Sequence, residues 1–263
     1  MQPPERKNIF DALLITFIFL LICWAVFLID SQLGGDLRKW GLRPRSVQGL
    51  WGIATVHFLH KDLGHIINNT WAFLVLNTYL FFFYRGIAFK VLPRLLLFSG
   101  ILLWLWGRPA IHIGASVAIY GIAVFLFFSG TFRKSLPLMA VSALVLFSYG
   151  SMFWGMFPIQ PEMSWEGHLS GAATGLALAY LYRQEGPQRK KYNWEIEEEI
   201  EATKEIEPES AMEDFNAIEV EYQELKTEKE HREQRHHNSS ESDQQIIYHY
   251  KEESKKKPPT SEG

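Results

Sequence analysis

The sequence predicts an all-α polytopic membrane protein, a bundle of six transmembrane helices followed by a polar C-terminal tail. Two observations predict it. Six apolar runs approach the roughly 20 residues that a helix needs to cross about 30 Å of hydrocarbon. The charge divides as the hydropathy does: residues 1–183 hold 14 Lys+Arg and 7 Asp+Glu, whereas residues 184–263 hold 12 and 22. The chain's net charge of −3 therefore averages a basic membrane core and an acidic tail.

The first span is "IFDALLITFIFLLICWAVFLI" (9–29). It exceeds a signal-peptide core, lacks a small-x-small cleavage site and precedes further spans, so it reads as a retained helix. Cys23, the only cysteine, lies inside it, which excludes an intrachain disulfide framework. Residues 30–65 follow as an external loop too long for a simple connector. Its Trp40, Leu50, Trp51, Ile53 and Phe58 predict a packed, partly membrane-embedded structure that shapes an entrance. The remaining spans are expected at 66–84, 88–106, 116–130, 136–155 and 166–182. Past them, 184–263 reads as a charged tail, with Ile196, Ile200 and Ile206 in one segment. Phe215, Ile218, Tyr222 and Leu225 stand at helical spacing in a second, and the end "KEESKKKPPTSEG" reads as disordered.

Short-loop cations orient the bundle. Arg6 and Lys7, then Arg85, Lys90 and Arg94, then Arg133 and Lys134, then Arg183, Arg189, Lys190 and Lys191 fall on one side if six helices alternate. The positive-inside rule makes that side cytoplasmic, with both termini on it. Arg38, Lys39, Arg43, Arg45 and Lys61 in the 30–65 loop are the exception.

Polar groups inside spans cost free energy and point to function. Spans two to six contain no Asp or Glu before Glu166, at the lip of the last one. That weighs against an aspartyl protease, which needs two carboxylates, and against an ion-coupled transporter. The membrane instead holds Ser, His and Asn. "HFLHKDLGHIINN" supplies His57, His60, His65 and Asn69; span four begins at Ser116; span six carries His168 near its start. All lie near the external ends of their helices. Ser116 and Tyr120 share a helical face, as do His168, Gly171, Gly175 and Ala179. Glycines there let another backbone approach, as in small-xxx-small packing.

If the neighbour is span four, His168 reaches Ser116 and can take its proton, the relation a nucleophile and its base require. Without an acid the pair is a dyad, with Tyr120 holding the imidazole. His65 and Asn69, four apart, suit the stabilisation of an oxyanion together with the Ser116 N–H. They equally suit a polar cap that hydrogen-bonds the loop, and Ser116 alone also suits a small-residue packing face. "GASVA" is not the nucleophile elbow of an α/β-hydrolase. No H-E-x-x-H accompanies His57, His60 and His65, and no Rossmann or phosphate loop is present, so no metal, cofactor or nucleic-acid partner is expected.

Three motifs in order, H-x4-H-x3-N at the head of span two, G-x-S with Tyr four residues on at span four, and H-x2-G-x3-G in span six, resemble the rhomboid family of intramembrane serine proteases. The resemblance covers roughly 9–183. It implies Ser116 as nucleophile, His168 as general base, His65 and Asn69 at the oxyanion, His60 as the further loop-side histidine and Tyr120 as supporting aromatic. It also implies Gly114, Gly171 and Gly175 as packing glycines. The implied reaction is cofactor-free hydrolysis of a peptide bond in or near a substrate's transmembrane segment, with substrate entering from lipid. The setting expected is a bacterial inner membrane, with the site facing outward and the tail in the cytoplasm. Two departures stand out. Val117 occupies the last position of the usual G-x-S-G, and the family's Trp-Arg pair is absent from "GLRPRSVQGLWG". An inactive rhomboid-like binder of membrane clients is the alternative. A small transporter or lipid-binding protein would leave the Ser/His/Asn constellation unexplained.

Overall fold

The computed structural model describes residues 9–160, 162–189, 191, 193–205, 219–220, 222–224 and 226–227. The described residues form helices: α1 (Ile9–Gln32), α2 (Gly52–Thr55), α3 (Leu63–Phe83), α4 (Arg85–Trp106), α5 (Ser116–Arg133), α6 (Leu136–Tyr149), α7 (Trp165–Leu181) and α8 (Asn193–Glu205). Residues 1–189 make one compact unit and 190–263 another. Among the described residues, five stretches are long and apolar enough to cross a membrane: α1, α3, α4, α5, and α6 with the 3-10 turns that continue it to Met156. α7, expected as the sixth span, has 17 residues. At about 25 Å it is short for a crossing.

Each expected span is a helix, and the ends differ for local reasons. α3 starts three residues early because Asp62 caps it, its carboxylate accepting the His65 N–H at 2.7 Å. The expected fifth span breaks at Tyr149, beyond which Gly150–Met156 tightens into a 3-10 segment. α5 runs on to Arg133, which was expected in a loop and is instead buried in the last turn. Its guanidinium bonds Ser129 and the carbonyl oxygens of Tyr182 and Glu185, which closes α5 onto the chain leaving α7.

α5 is the central helix: 67% of its most apolar stretch is buried, against 28% for α1 and 22% for α6 with its extension. It packs most extensively on α7 and also meets α3, α4 and α6. The contact with α7 is backbone against backbone. A Cβ on Gly171 would collide with the Val117 carbonyl, and one on Gly175 with the Gly121 carbonyl. α1 docks on α3 through hydrogen bonds that oil alone cannot supply. Asn77 Nδ2 donates to Thr16 Oγ1 at 3.0 Å, and Trp24 Nε1 donates to Thr70 Oγ1 at 3.0 Å. Cys23 is buried there, its thiol 3.8 Å from the His57 carbonyl oxygen.

The 30–65 loop is packed, with α2 and two 3-10 turns, Asp36–Trp40 and Val47–Gly49. Leu42 and Val56 are fully buried, and Ile53 packs beside them. Trp40, Leu50 and Trp51 remain exposed. The loop's cations are largely paired. Arg38 Nε lies 2.9 Å from the buried carboxylate of Asp30, Lys39 pairs with Asp36, and Lys61 with Asp62 and Glu162. The Arg45 guanidinium donates to the Leu105 carbonyl at 3.3 Å.

In the second unit, α8 has Ile196 and Ile200 buried, and Tyr222 donates to Glu197 Oε1 at 3.2 Å. Arg6, Lys7, Lys190, Ile206, Phe215, Ile218, Leu225 and the basic end segment lie outside the described residues.

Replacing Gly171 with Ala should lower the unfolding midpoint in detergent, by the equivalent of about 1–3 kcal/mol for overpacking a close contact. Gly64→Ala, whose new methyl meets only Asp62 Oδ1 at 3.4 Å, should not lower it.

Candidate active site

Four chain segments converge at one end of the α5–α7 contact. Ser116 is the first residue of α5, so its side chain and unspent backbone N–H stand at the helix entrance. His168 lies in the first turn of α7 and is buried. Its Nε2 is 3.0 Å from Ser116 Oγ, and its Nδ1 is 2.8 Å from the Gly155 carbonyl oxygen. Tyr120, one turn into α5, stacks on the imidazole with ring centroids 4.0 Å apart and planes 5° from parallel. Ser116, Tyr120 and His168 are therefore together, as the helical spacings require.

Val117 does not part them. It is buried against Leu42, Val56 and Leu103, and its γ-methyl faces Gly167, where a Cβ would approach to 3.1 Å. The bulk missing at Gly167 is the bulk present at Val117. That glycine directly precedes His168, and the spacing of glycines after the histidine did not single it out.

His65 and Asn69 project from the first turns of α3. The His65 ring sits over Gly114, whose missing Cβ would lie 2.8 Å from His65 Nε2 and 3.5 Å from Ser116 Oγ. Gly114 is thus no helix-packing residue. It precedes α5 with a φ of +124°, a conformation costly for a side chain, and leaves room for the imidazole. Among the described residues, Asn69 Nδ2 and His65 Nδ1 are buried without a hydrogen-bond partner. A buried donor left unsatisfied is costly unless a water or ligand group meets it. The polar-cap alternative would spend these donors on the loop, and they are not so spent.

His60 stands behind this pair, edge-on to His65 at 5.1 Å. The Ala115 N–H donates to its Nε2 at 3.5 Å, which leaves Nδ1–H to donate to the Phe58 carbonyl at 3.3 Å. Burial, then the neighbouring His65, pushes His60 down to about 4. Burial does the same to His57, which bonds the Leu96 carbonyl oxygen at 2.9 Å.

His112 carries more of the site than its sequence context suggested. It exchanges both backbone hydrogen bonds with Leu42, at 3.0 and 2.8 Å. Its ring lies 3.1 Å from the Arg108 carbonyl oxygen through Nε2 and 2.6 Å from Ser164 Oγ through Nδ1. One buried residue thereby ties the 30–65 loop to the entrance of α5 and the start of α7. Burial lowers its pKa. Only its presence in an apolar run marked it in the sequence.

The Rhomboid domain model matches residues 47–185, from the loop through α7. Uncharacterized proteins of Mycobacterium bovis and Mycobacterium tuberculosis are each 35% identical over 188 residues, 67% of this chain and 76% of theirs. One of Mycobacterium leprae is 33% identical over 182 residues, 65% of this chain and 71% of its own. The chain belongs to the rhomboid family. It is an integral membrane protein of that family, whose members are typically intramembrane proteases, and the site lies wholly within the matched region. Among the described residues no group of three His, Cys, Asp or Glu is placed to hold a metal ion.

Among the depressed loop histidines, His57 and His60 contribute a pH dependence. Between their ordinary 6.5 and about 4 the unfolded chain takes up protons that the folded chain refuses, so stability is full above that window and falls on acidification. Thermal unfolding in detergent should occur at lower temperature at about pH 5 than at about pH 7.5, and replacing His57 and His60 together with Gln should reduce the difference.

Proposed function

We propose that the protein is an intramembrane serine endopeptidase that cleaves membrane-protein substrates in or near their transmembrane segments. The observation that carries this reading is the 3.0 Å approach of His168 Nε2 to Ser116 Oγ beneath the stacked Tyr120 ring. In the proposed mechanism, Ser116 Oγ attacks the scissile carbonyl while His168 Nε2 takes its proton. The oxyanion that forms meets the Ser116 N–H, the Asn69 carboxamide and the His65 imidazole, donors with no other call on them. His168 then protonates the leaving amine, and a water, activated by the same imidazole, hydrolyses the acyl-enzyme. His60 holds the approach to Ser116 through the Ala115 N–H.

A dry, apolar surround strengthens each of these polar interactions, and exposed apolar side chains around the bundle fit a substrate that arrives through lipid. The distribution of Lys and Arg supports termini in the cytoplasm with Ser116 toward the outer face, and the mycobacterial relatives support a bacterial cell membrane. The tail is proposed as a cytoplasmic extension, whose partner the sequence does not name.

A fluorophosphonate probe should label wild type in detergent or bilayers, and Ser116→Ala should not be labelled. His168→Ala should cleave a model transmembrane substrate about 10²–10⁴-fold more slowly while remaining folded. Cleavage that survives both substitutions would sink the dyad. A folded wild type that neither labels nor cleaves would favour the inactive client-binding alternative.

A further inference from the structure

We infer that the main-chain carbonyl of Gly155 is a positioning group for the base, taking the place of the acid that the dyad lacks; this rests on the protease reading above. A neutral imidazole carries one N–H and one lone pair, and only the tautomer with its lone pair on Nε2 can take a proton from Ser116. Nothing on α5 or α7 sets that tautomer. The nearest acid on α7, Glu166, stands two residues before His168, a spacing that turns the two side chains apart, and its Oε1 lies 3.5 Å from Arg108 Nε. The Tyr120 ring lies flat on the imidazole and holds its plane without choosing between its nitrogens.

The Gly155 carbonyl does choose. A carbonyl oxygen only accepts, and it lies 2.8 Å from His168 Nδ1. Nδ1 therefore carries the hydrogen, and the Nε2 lone pair faces Ser116 Oγ at 3.0 Å. The same carbonyl steadies the imidazolium once Nε2 has gained its proton, because a hydrogen bond from a charged donor is stronger. Being neutral, it does so without placing a second charge in the bundle.

Glycine is required at 155 for space. A Cβ there would collide with the Tyr120 hydroxyl and would stand 3.3 Å from His168 Nδ1. Any side chain thus displaces the carbonyl, the stacked ring or both. Gly155 belongs to the 3-10 segment Gly150–Met156 rather than to either helix of the dyad. That segment exposes Phe153 and Trp154 and is backed by an apolar cavity of about 320 Å³ between α5 and α6, lined by Tyr120, Val124, Tyr149 and Met152 among others. The tautomer of the base is accordingly set from outside the α5–α7 core, and the chain beyond α6 must be in place for His168 to accept a proton.

The test compares wild type, Gly155→Ala, Tyr120→Phe and the double variant by the rate of fluorophosphonate labelling of Ser116, with unfolding midpoints as a check on folding. Gly155→Ala should label at least about 10-fold more slowly than wild type, within the range that loss of a positioned base produces. Removing the Tyr120 hydroxyl in the double variant relieves the collision and should restore part of that rate, above Gly155→Ala alone. Equal labelling of wild type and Gly155→Ala overturns the inference and leaves the protease reading standing; no labelling of wild type overturns that reading itself. Should Gly155→Ala not fold, ¹⁵N-histidine spectra of wild type, with His168 assigned by difference from His168→Ala, decide the matter. Nδ1–H is the expected tautomer at neutral pH, and an Nε2–H tautomer overturns the inference.

Discussion

The approach of α7 to α5, main chain against main chain at Gly171 and Gly175, is the constraint on which the rest of the molecule depends. At that separation a side chain in the first turn of α7 reaches one in the first turn of α5, so Ser116 and His168 meet without either helix bending. One methyl group at Gly171 would meet the Val117 carbonyl, which belongs to α5's own hydrogen-bond ladder and has little room to yield. Val117 turns its side chain toward Gly167, and farther along the contact Gly121 faces Gly175. Arg133 closes the far end, joining the last turn of α5 to the carbonyl groups that follow α7. The helix pair is thus held at both ends, and the candidate dyad sits at the end that opens on the loops.

The loops are built to hold that end. His112 joins three segments through four hydrogen bonds, and the Gly114 N–H donates to the Val56 carbonyl at 2.8 Å just before α5 begins. In a nonpolar surround each of these bonds resists loss, because water is not at hand to replace it. The proposed orientation puts the five cations of the 30–65 loop where the positive-inside rule disfavours them, and most are met by a carboxylate or a carbonyl nearby. Pairing removes much of the charge that would oppose the proposed orientation. His65 Nδ1 and Asn69 Nδ2 are among the buried side-chain atoms that, within the described residues, have no hydrogen-bond partner.

The helical runs and their order were legible because hydrocarbon thickness imposes a length on apolar runs, although five stretches rather than six are long and apolar enough to cross among the described residues. Period-3.6 spacing brought Ser116 under Tyr120 and His168 over Gly171 and Gly175. Helix ends were less legible. Asp62 drew α3 three residues back by capping it, and glycine-containing chain after Tyr149 tightened one expected span into a 3-10 end. Gly114 was read as a packing glycine, whereas its place is a positive-φ turn beneath His65. Arg133, expected between two spans, lies in the last turn of α5, and it and the loop residue His112 are internal fasteners. The cap and the 3-10 end are local, whereas the places of Gly114, His112 and Arg133 depend on partners distant in the chain, of which local pattern holds no record.

What the sequence by itself determined is the class of protein and the inventory of chemistry: a helical membrane bundle of the rhomboid family, with Ser116, several histidines and an asparagine near the same ends of its helices and Glu166 as the one acid in expected spans two to six. What only the tertiary structure decided is which of those groups touch. It brought the imidazole to the serine, placed Gly167 opposite Val117, and set the Gly155 carbonyl against the other ring nitrogen. The physical reason is that composition and periodicity act along a single helix, whereas hydrogen-bond partners and excluded volume belong to the contacts between helices.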